Sequence, residues 1–344
     1  MLEKQKSFQD KSFYIKTFGC QMNVADTERM SVILADLGAK PIDTPEDADI
    51  VLLNGCEVRE KAVNKALSKL GELRKGKKAG KIIGIGGCVG QLEGSKLFTK
   101  NQHLDFVFGT DVIDQLPEII HQVDNGARHI VYNDFDKGRD YSTETKVFYK
   151  SASAFVNIMK GCDKFCSYCI VPFTRGREKS RPIAEIKSDV QRLVMLGVRE
   201  ITLLGQNVNS YGKGNKSNPD GTDETFPQLL RALDDINDLK RLRFTSSHPV
   251  DFSDDLIACY GGVEKGGVRA LCNQLHLPVQ SGSNKVLDKM LRHYKIETFY
   301  EQIRKWRERC PDGGLSTDMI VGFPTETEED FAQTMKLLED IRFD

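Results

Sequence analysis

No apolar run in this 344-residue sequence approaches membrane-spanning length, which excludes a helical membrane protein. A secretory signal peptide is also missing, so the nine cysteines are not read as a disulfide framework. Charge of either sign is not in surplus: 49 Lys and Arg against 50 Asp and Glu leave a formal net charge of −1. No global field draws the chain to nucleic acid, and any RNA site must be a local basic patch. Low-complexity tracts and simple tandem repeats are absent. What is present, 39% hydrophobic and 29% charged residues, is ordinary for a globular protein with a real core, and the length allows two domains.

Three of the cysteines fall within eight residues, Cys162-Asp163-Lys164-Phe165-Cys166-Ser167-Tyr168-Cys169. Gaps of three and then two residues let one short loop aim three thiols at one point. Thiolates suit zinc or iron–sulfur clusters. A closed zinc site wants a fourth ligand, and none lies nearby; a distant one would complete it, so spacing alone leaves zinc open. Three thiolates on a four-iron cube leave one iron free for chemistry. The β-branched and apolar run 153–159 reads as a strand that ends at Lys160-Gly161, and a helical pattern begins after Arg181-Pro182. A cysteine loop at the carboxyl end of a strand in a βα series sits where such folds build active sites.

The first 125 residues alternate strand-like runs (13–18, 49–53, 81–85, 105–108) with helical spacing (24–37, 58–73, 112–123), which predicts a doubly wound parallel sheet. Cys20, Cys56 and Cys88 each follow a glycine just past one of the first three strands. That repetition points to a second three-thiol site at the carboxyl edge, rather than to small buried hydrophobes. Gly84-Ile85-Gly86-Gly87 lacks the GxGxxG spacing and is not a dinucleotide fingerprint. The second half offers strands at 153–159, 200–204, 242–246, 273–277 and 316–321. Helices are expected at 183–196, 226–236, 254–260, 286–291 with 297–309, and 328–341. Five βα units are too few to close an eight-stranded barrel.

Cys-x3-Cys-x2-Cys after a first strand resembles the radical S-adenosylmethionine (SAM) superfamily. Two cysteine trios in this order resemble the methylthiotransferases, over almost the whole chain. Three segments resemble the branch that acts on isopentenylated adenosine in tRNA: Gly19-Cys20-Gln21-Met22-Asn23, the run from Gly161 to Pro182, and Leu204 to Gly212. Sister branches usually carry Pro-Lys-Asn or Lys-Val-Asn after the first cysteine. Gly55, Glu57 and Gly90 depart from the family's usual Thr, small residue and Ala.

The resemblance implies an α/β chain: a doubly wound domain over 1–135, a linker over 136–152, and a radical SAM partial (β/α)6 barrel over 153–344. That barrel is expected to be cut near its last strand, with the family's small RNA-binding β-barrel domain lying past Asp344. It implies two [4Fe-4S] clusters, one on Cys20, Cys56 and Cys88 and one on Cys162, Cys166 and Cys169, the latter binding SAM and generating the radical. SAM contacts are expected from Gln206, Asn207, Ser246, Gln280, Ser281, Asp318 and Ile320, though each also suits a cap or a turn. The implied partners are a tRNA with an isopentenylated adenosine beside the anticodon and an electron donor such as flavodoxin or ferredoxin, for a cytoplasmic monomer. The alternatives are a methylthiotransferase for another tRNA base or a ribosomal-protein aspartate, and a cluster-loaded RNA-binding module without turnover.

Arg175, Arg177, Lys179 and Arg181 alternate just after the cysteine loop. In an extended segment they would face one way and grip phosphate, or SAM's carboxylate. Phe165, Tyr168 and Phe173 would stack on a splayed base or pack the loop. His248 and His276 read as core, and Cys259, Cys272 and Cys310 are given no metal role.

Overall fold

The computed structural model describes residues 8–78, 80–135, 145, 148, 151–213 and 223–344. Within these the chain divides into two compact units. One is drawn from Met1–Arg139 with Thr145–Tyr149 and Ile170–Gly176; the other from Asp140–Glu144, Lys150–Cys169 and Arg177–Asp344. The linker expected over 136–152 lies mostly outside the described residues.

The first unit is built on six parallel strands: β1 (Ser12–Phe18), β2 (Lys40–Pro41), β3 (Ile50–Gly55), β4 (Ile82–Gly86), β5 (Phe106–Phe108) and β6 (Ile130–Tyr132), in the order β2-β1-β3-β4-β5-β6. Every residue of β3 and β4 is buried, as expected for central parallel strands covered on both faces. Alternation along β3 divides the core. Ile50 and Leu52 pack with Met30 and Leu34 of α1 (Gln21–Asp36) and Ile119 and Val123 of α5 (Leu116–Asp124). Val51 and Leu53 pack on the opposite face with Leu70 of α2 (Glu60–Leu73) and Leu97 of α4 (Lys96–Lys100). Short strands β2 and β6, and helix α3 (Gly87–Glu93), were not legible in the sequence pattern. The expected doubly wound sheet is what forms.

The second unit carries parallel strands β7 (Ser153–Asn157), β10 (Glu200–Leu204) and β11 (Arg241–Phe244), and the parallel pair β12 (Gln274–His276) with β13 (Gly314–Ser316). A bridge from Leu242 to Leu271 joins the two sets. Helices α7 (Ile183–Met195), α8 (Phe226–Asp234), α9 (Asp254–Ala258), α10 (Asn284–Lys289), α11 (Ile296–Arg309) and α12 (Glu328–Ile341) separate the strands, giving a partial βα barrel. Two strands end differently from expectation. The third stops at Phe244 because Ser246 adopts φ +66. The fifth occupies 314–316, where its register with β12 runs, and beyond it Met319 makes only a single bridge to Gln280. The stretch after the cysteine loop is not simply extended. It contains helix α6 (Val171–Arg175), closed by Gly176 at φ +75, and a two-residue antiparallel pair of β8 (Met159–Lys160) with β9 (Lys179–Ser180). Among the described residues no helix is long and apolar enough to cross a membrane.

Candidate functional site

Register assembles the first trio of thiols. Phe18 pairs with Gly55, Asn54 with Gly86, and Gly55 bridges Gly87, so β1, β3 and β4 end level. Cys20, Cys56 and Cys88 follow those residues within two positions. The strand order reverses between β1 and β3, the switch point where doubly wound sheets bind ligands. Cys20 is the N-cap of α1 and donates its backbone N–H to Asn23 Oδ1 at 3.3 Å. Asn23 is fixed in turn by buried Asn54, whose Nδ2 donates to the Asn23 carbonyl (2.8 Å) and to Thr27 Oγ1 (3.1 Å). Gly87 adopts φ +78, and a Cβ there would run into the Asn54 side chain and the Gly55 carbonyl. Gly90 is equally constrained, since a Cβ would strike the Phe108 carbonyl. The alanine usual in the family would have to displace that backbone.

Cys20 is exposed, while Cys56 and Cys88 are buried. A hydrogen bond with Cys56 lowers the Cys20 thiol against the opposing cost of burial. The same bond, with burial, pushes Cys56 well up. Arg175 of α6 stands beside this trio, its Nη2 2.8 Å from Asp26 Oδ2.

The second trio lies on the loop after β8. Cys162 and Cys166 are buried and Cys169 is half-buried. The Cys169 N–H donates to the Cys166 carbonyl at 2.9 Å, and Ser167 is pinned to α10, its N–H on the Met290 carbonyl and its hydroxyl on the Lys289 carbonyl. Burial raises the Cys162 thiol to about 11. Buried Arg292 was missed by the sequence analysis. Its Nη1 reaches Cys166 Sγ at 3.5 Å and Tyr168 Oη at 3.4 Å, and its Nη2 donates to the Pro278 carbonyl. No local pattern announces a residue 126 positions from the sulfur it touches.

Among the described residues no three His, Cys, Asp or Glu side chains close on one point to grip a metal ion. Tetrahedral zinc would hold its sulfurs roughly 3.8 Å apart. A four-iron cube asks for a wider set, because each thiol takes a different iron. In the second unit, buried polar atoms without a hydrogen-bond partner include Asn157 Oδ1, Glu178 Oε1, Asn207 Oδ1, Ser247 Oγ, His248 Nε2 and Arg292 Nε. Orphaned polar atoms in a folded interior call for a partner, and a cofactor bearing an ammonium, a carboxylate and a ribose fits them.

The expected SAM contacts divide. Asn207 anchors to Asp251 through Nδ2 at 2.8 Å and keeps its carbonyl oxygen available. Gln206 instead accepts the Gly161 N–H with Oε1, which spends that atom on the cysteine loop. Gln280, Asp318 and Ile320 are joined by backbone hydrogen bonds, Gln280 N to Asp318 O and Ile320 N to Gln280 O, both 3.0 Å. Ser281 is fully buried, with its hydroxyl accepting the Ser283 N–H and facing Thr334 of α12. Ser246 ends its strand. His248 is held neutral, lowered to about 2 chiefly by burial.

The basic run is corrected at two positions. Arg175 and Arg181 are buried, Arg175 against Asp26 and Arg181 against Asp189 at 2.8 Å. Arg175 ends a helical turn and Arg181 follows a two-residue strand, and as buried side chains neither is open to phosphate. Arg177 remains exposed, paired with Asp163 at 2.6 Å and stacked over Phe165. Lys179 is half-buried on β9. Phe165, Tyr168 and Phe173 are all exposed.

Comparison with known proteins accords with this geometry. Residues 12–109 match the uncharacterized protein family UPF0004, and residues 156–338 match the Radical SAM superfamily. The tRNA-2-methylthio-N(6)-dimethylallyladenosine synthase of Desulfotalea psychrophila is 44% identical over 348 residues, 97% of this chain and 75% of the relative. The synthase of that name from Geobacter sulfurreducens is also 44% identical, over 97% of this chain and 74% of its own length. Among solved structures, the radical S-adenosylmethionine methyltransferase TsrM from Kitasatospora setae superposes with a TM-score of 0.67 at 13% identity, covering 97% of this chain and 72% of TsrM. The cobalamin-dependent S-adenosylmethionine radical enzyme OxsB gives 0.64 at 12% identity, covering 96% and 52%. These two likenesses speak for the fold alone. Two thiol trios on a doubly wound sheet and a partial barrel, with 44% identity across nearly the whole chain, place this protein in the radical SAM methylthiotransferase family.

Proposed function

We propose that the chain transfers a methylthio group to carbon 2 of N(6)-isopentenyladenosine next to the anticodon of tRNA. The observation that carries this reading is the pair of three-thiol sites, one at the carboxyl ends of parallel strands β1, β3 and β4 and one on the loop after β8, in a chain 44% identical to synthases named for that product. Cys20, Cys56 and Cys88 would hold one [4Fe-4S] cluster, and Cys162, Cys166 and Cys169 the other; each trio leaves one iron for a ligand that is not protein. When bound, the two clusters and SAM supply the radical, the sulfur and the methyl group.

The chain's own residues do the rest. Arg292 donates to Cys166 and orders Tyr168 beside it. Asn207, Ser247 and neutral His248 present unpaired polar atoms to the cofactor's amino-acid moiety, and the bridged strands at Gln280, Asp318 and Ile320 flank its ribose and adenine. Exposed Phe165 and Tyr168 offer faces for a base, which must leave its stack because carbon 2 is hidden there. Arg177 and Lys179 are the remaining candidates for the tRNA backbone. An electron donor such as flavodoxin or ferredoxin would serve it, in the cytoplasm where tRNA is processed, with the chain acting as a monomer.

The test is anaerobic reaction of the reconstituted protein with SAM, a reductant and two tRNA preparations, with and without the isopentenyl group. Methylthiolated nucleoside, read by mass spectrometry, is expected from the first only. Product from unmodified tRNA, or from neither, would overturn the substrate assignment.

A further inference from the structure

Arg175 is 6% exposed and lies in the same unit as the first thiol trio. Helix α6, which carries it, packs on α3, the helix of Cys88, and is tied down by Thr110 Oγ1 donating to the Thr174 carbonyl at 2.8 Å. Its partner Asp26 belongs to α1, the helix capped by Cys20. The pair is close but misaligned: neither Arg175 Nη2 nor Asp26 Oδ2 has a hydrogen-bond partner. A purely structural Arg–carboxylate pair gains most from a bidentate fork, and burying a guanidinium with unspent donors is costly. The Arg175 guanidinium lies within electrostatic reach of the sulfurs of Cys20 and Cys88.

We propose that Arg175 is an anion-holding residue of the first trio's site, its unspent N–H groups donating to the anionic sulfur, hydrosulfide or methanethiolate, held there for transfer. This rests on the proposed function. A fourth anionic sulfur on an iron–sulfur core that already carries three thiolates makes the site more negative, and a buried cation in that low-dielectric surrounding offsets part of the added charge. Guanidinium suits the task because it keeps its charge when buried and offers several donors in one plane.

The experiment uses the full chain with Cys162, Cys166 and Cys169 replaced by Ala, so that only the first trio is loaded. Methanethiolate is titrated into the reconstituted protein and followed by the cluster's EPR spectrum, with neutral imidazole as the control ligand. Arg175→Met and the charge-neutral pair Asp26→Asn/Arg175→Met are expected to bind methanethiolate at least about tenfold more weakly, the worth of one charge-assisted hydrogen bond. Iron content and imidazole affinity should be unchanged, and Arg175→Lys should fall between parent and Met. Equal methanethiolate affinity in all variants would overturn the inference and leave Arg175 a packing residue. If the Met variants fail to take up iron, the comparison of parent with Arg175→Lys decides by the same rule. A first trio that takes up no iron in the parent would instead overturn the proposed function.

Discussion

Glu178 gives a quantitative handle on the second unit. Its Oε2 accepts the Ser210 hydroxyl at 2.7 Å, while Oε1 is buried with no partner. Burial, with Asp163 and Asp251 nearby, raises its carboxyl from the ordinary 4.5 to about 7, against the opposing pull of Ser210 and Lys213. In the folded chain it therefore keeps its proton over a range where the unfolded chain has lost it. Folding then takes up a proton, and stability falls as pH rises from about 4.5 to about 7. At about 1.4 kcal/mol per pKa unit, the loss amounts to about 3 kcal/mol as an upper value. Glu178→Gln keeps an oxygen to accept from Ser210 and cannot ionise, so it removes the loss. Urea unfolding of parent and variant at pH 5 and pH 8 checks this, because other titrating groups cancel between the two chains. The variant should gain up to about 3 kcal/mol on the parent between those pH values. An equal difference at both pH values would refute the claim that this carboxyl is protonated in the fold.

Three further outcomes follow from the geometry. Cys166→Ala should abolish 5′-deoxyadenosine formation while the first trio still holds iron, and the triple Cys162/Cys166/Cys169→Ala chain should fall from about eight irons to about four; normal cleavage by Cys166→Ala would sink the assignment. Arg292→Met, which removes the donor to Cys166 and leaves Tyr168 loose, should shift the EPR spectrum of the second cluster and cut SAM cleavage about tenfold, the scale of one charge-assisted hydrogen bond. Arg177→Ala should leave the melting temperature unchanged and reduce the salt dependence of tRNA binding by about one counterion, measured as the slope of log K against log salt; an unchanged slope would remove Arg177 from the RNA interface.

The sequence by itself determined both thiol trios and the sheet that presents the first. That information is local: a β-branched run fixes a strand, a glycine fixes the sharp exit, and the cysteine comes next, as at Phe18 to Cys20, Gly55-Cys56 and Gly87-Cys88. Repeating the pattern on neighbouring parallel strands brings the thiols to one edge. Tertiary structure alone decided where the basic residues went. Arg175 and Arg181 look, in sequence, like their exposed neighbour Arg177, yet buried Asp26 and Asp189 draw them inward. It also set Gln206 Oε1 against the Gly161 N–H, the Ser281 hydroxyl against the Ser283 N–H, and Arg292 against the cysteine loop. The physical reason is that strand and turn formation depend on neighbours in the chain. The fate of a charged or polar side chain depends instead on which distant partner the fold sets against it, and no local pattern encodes that partner.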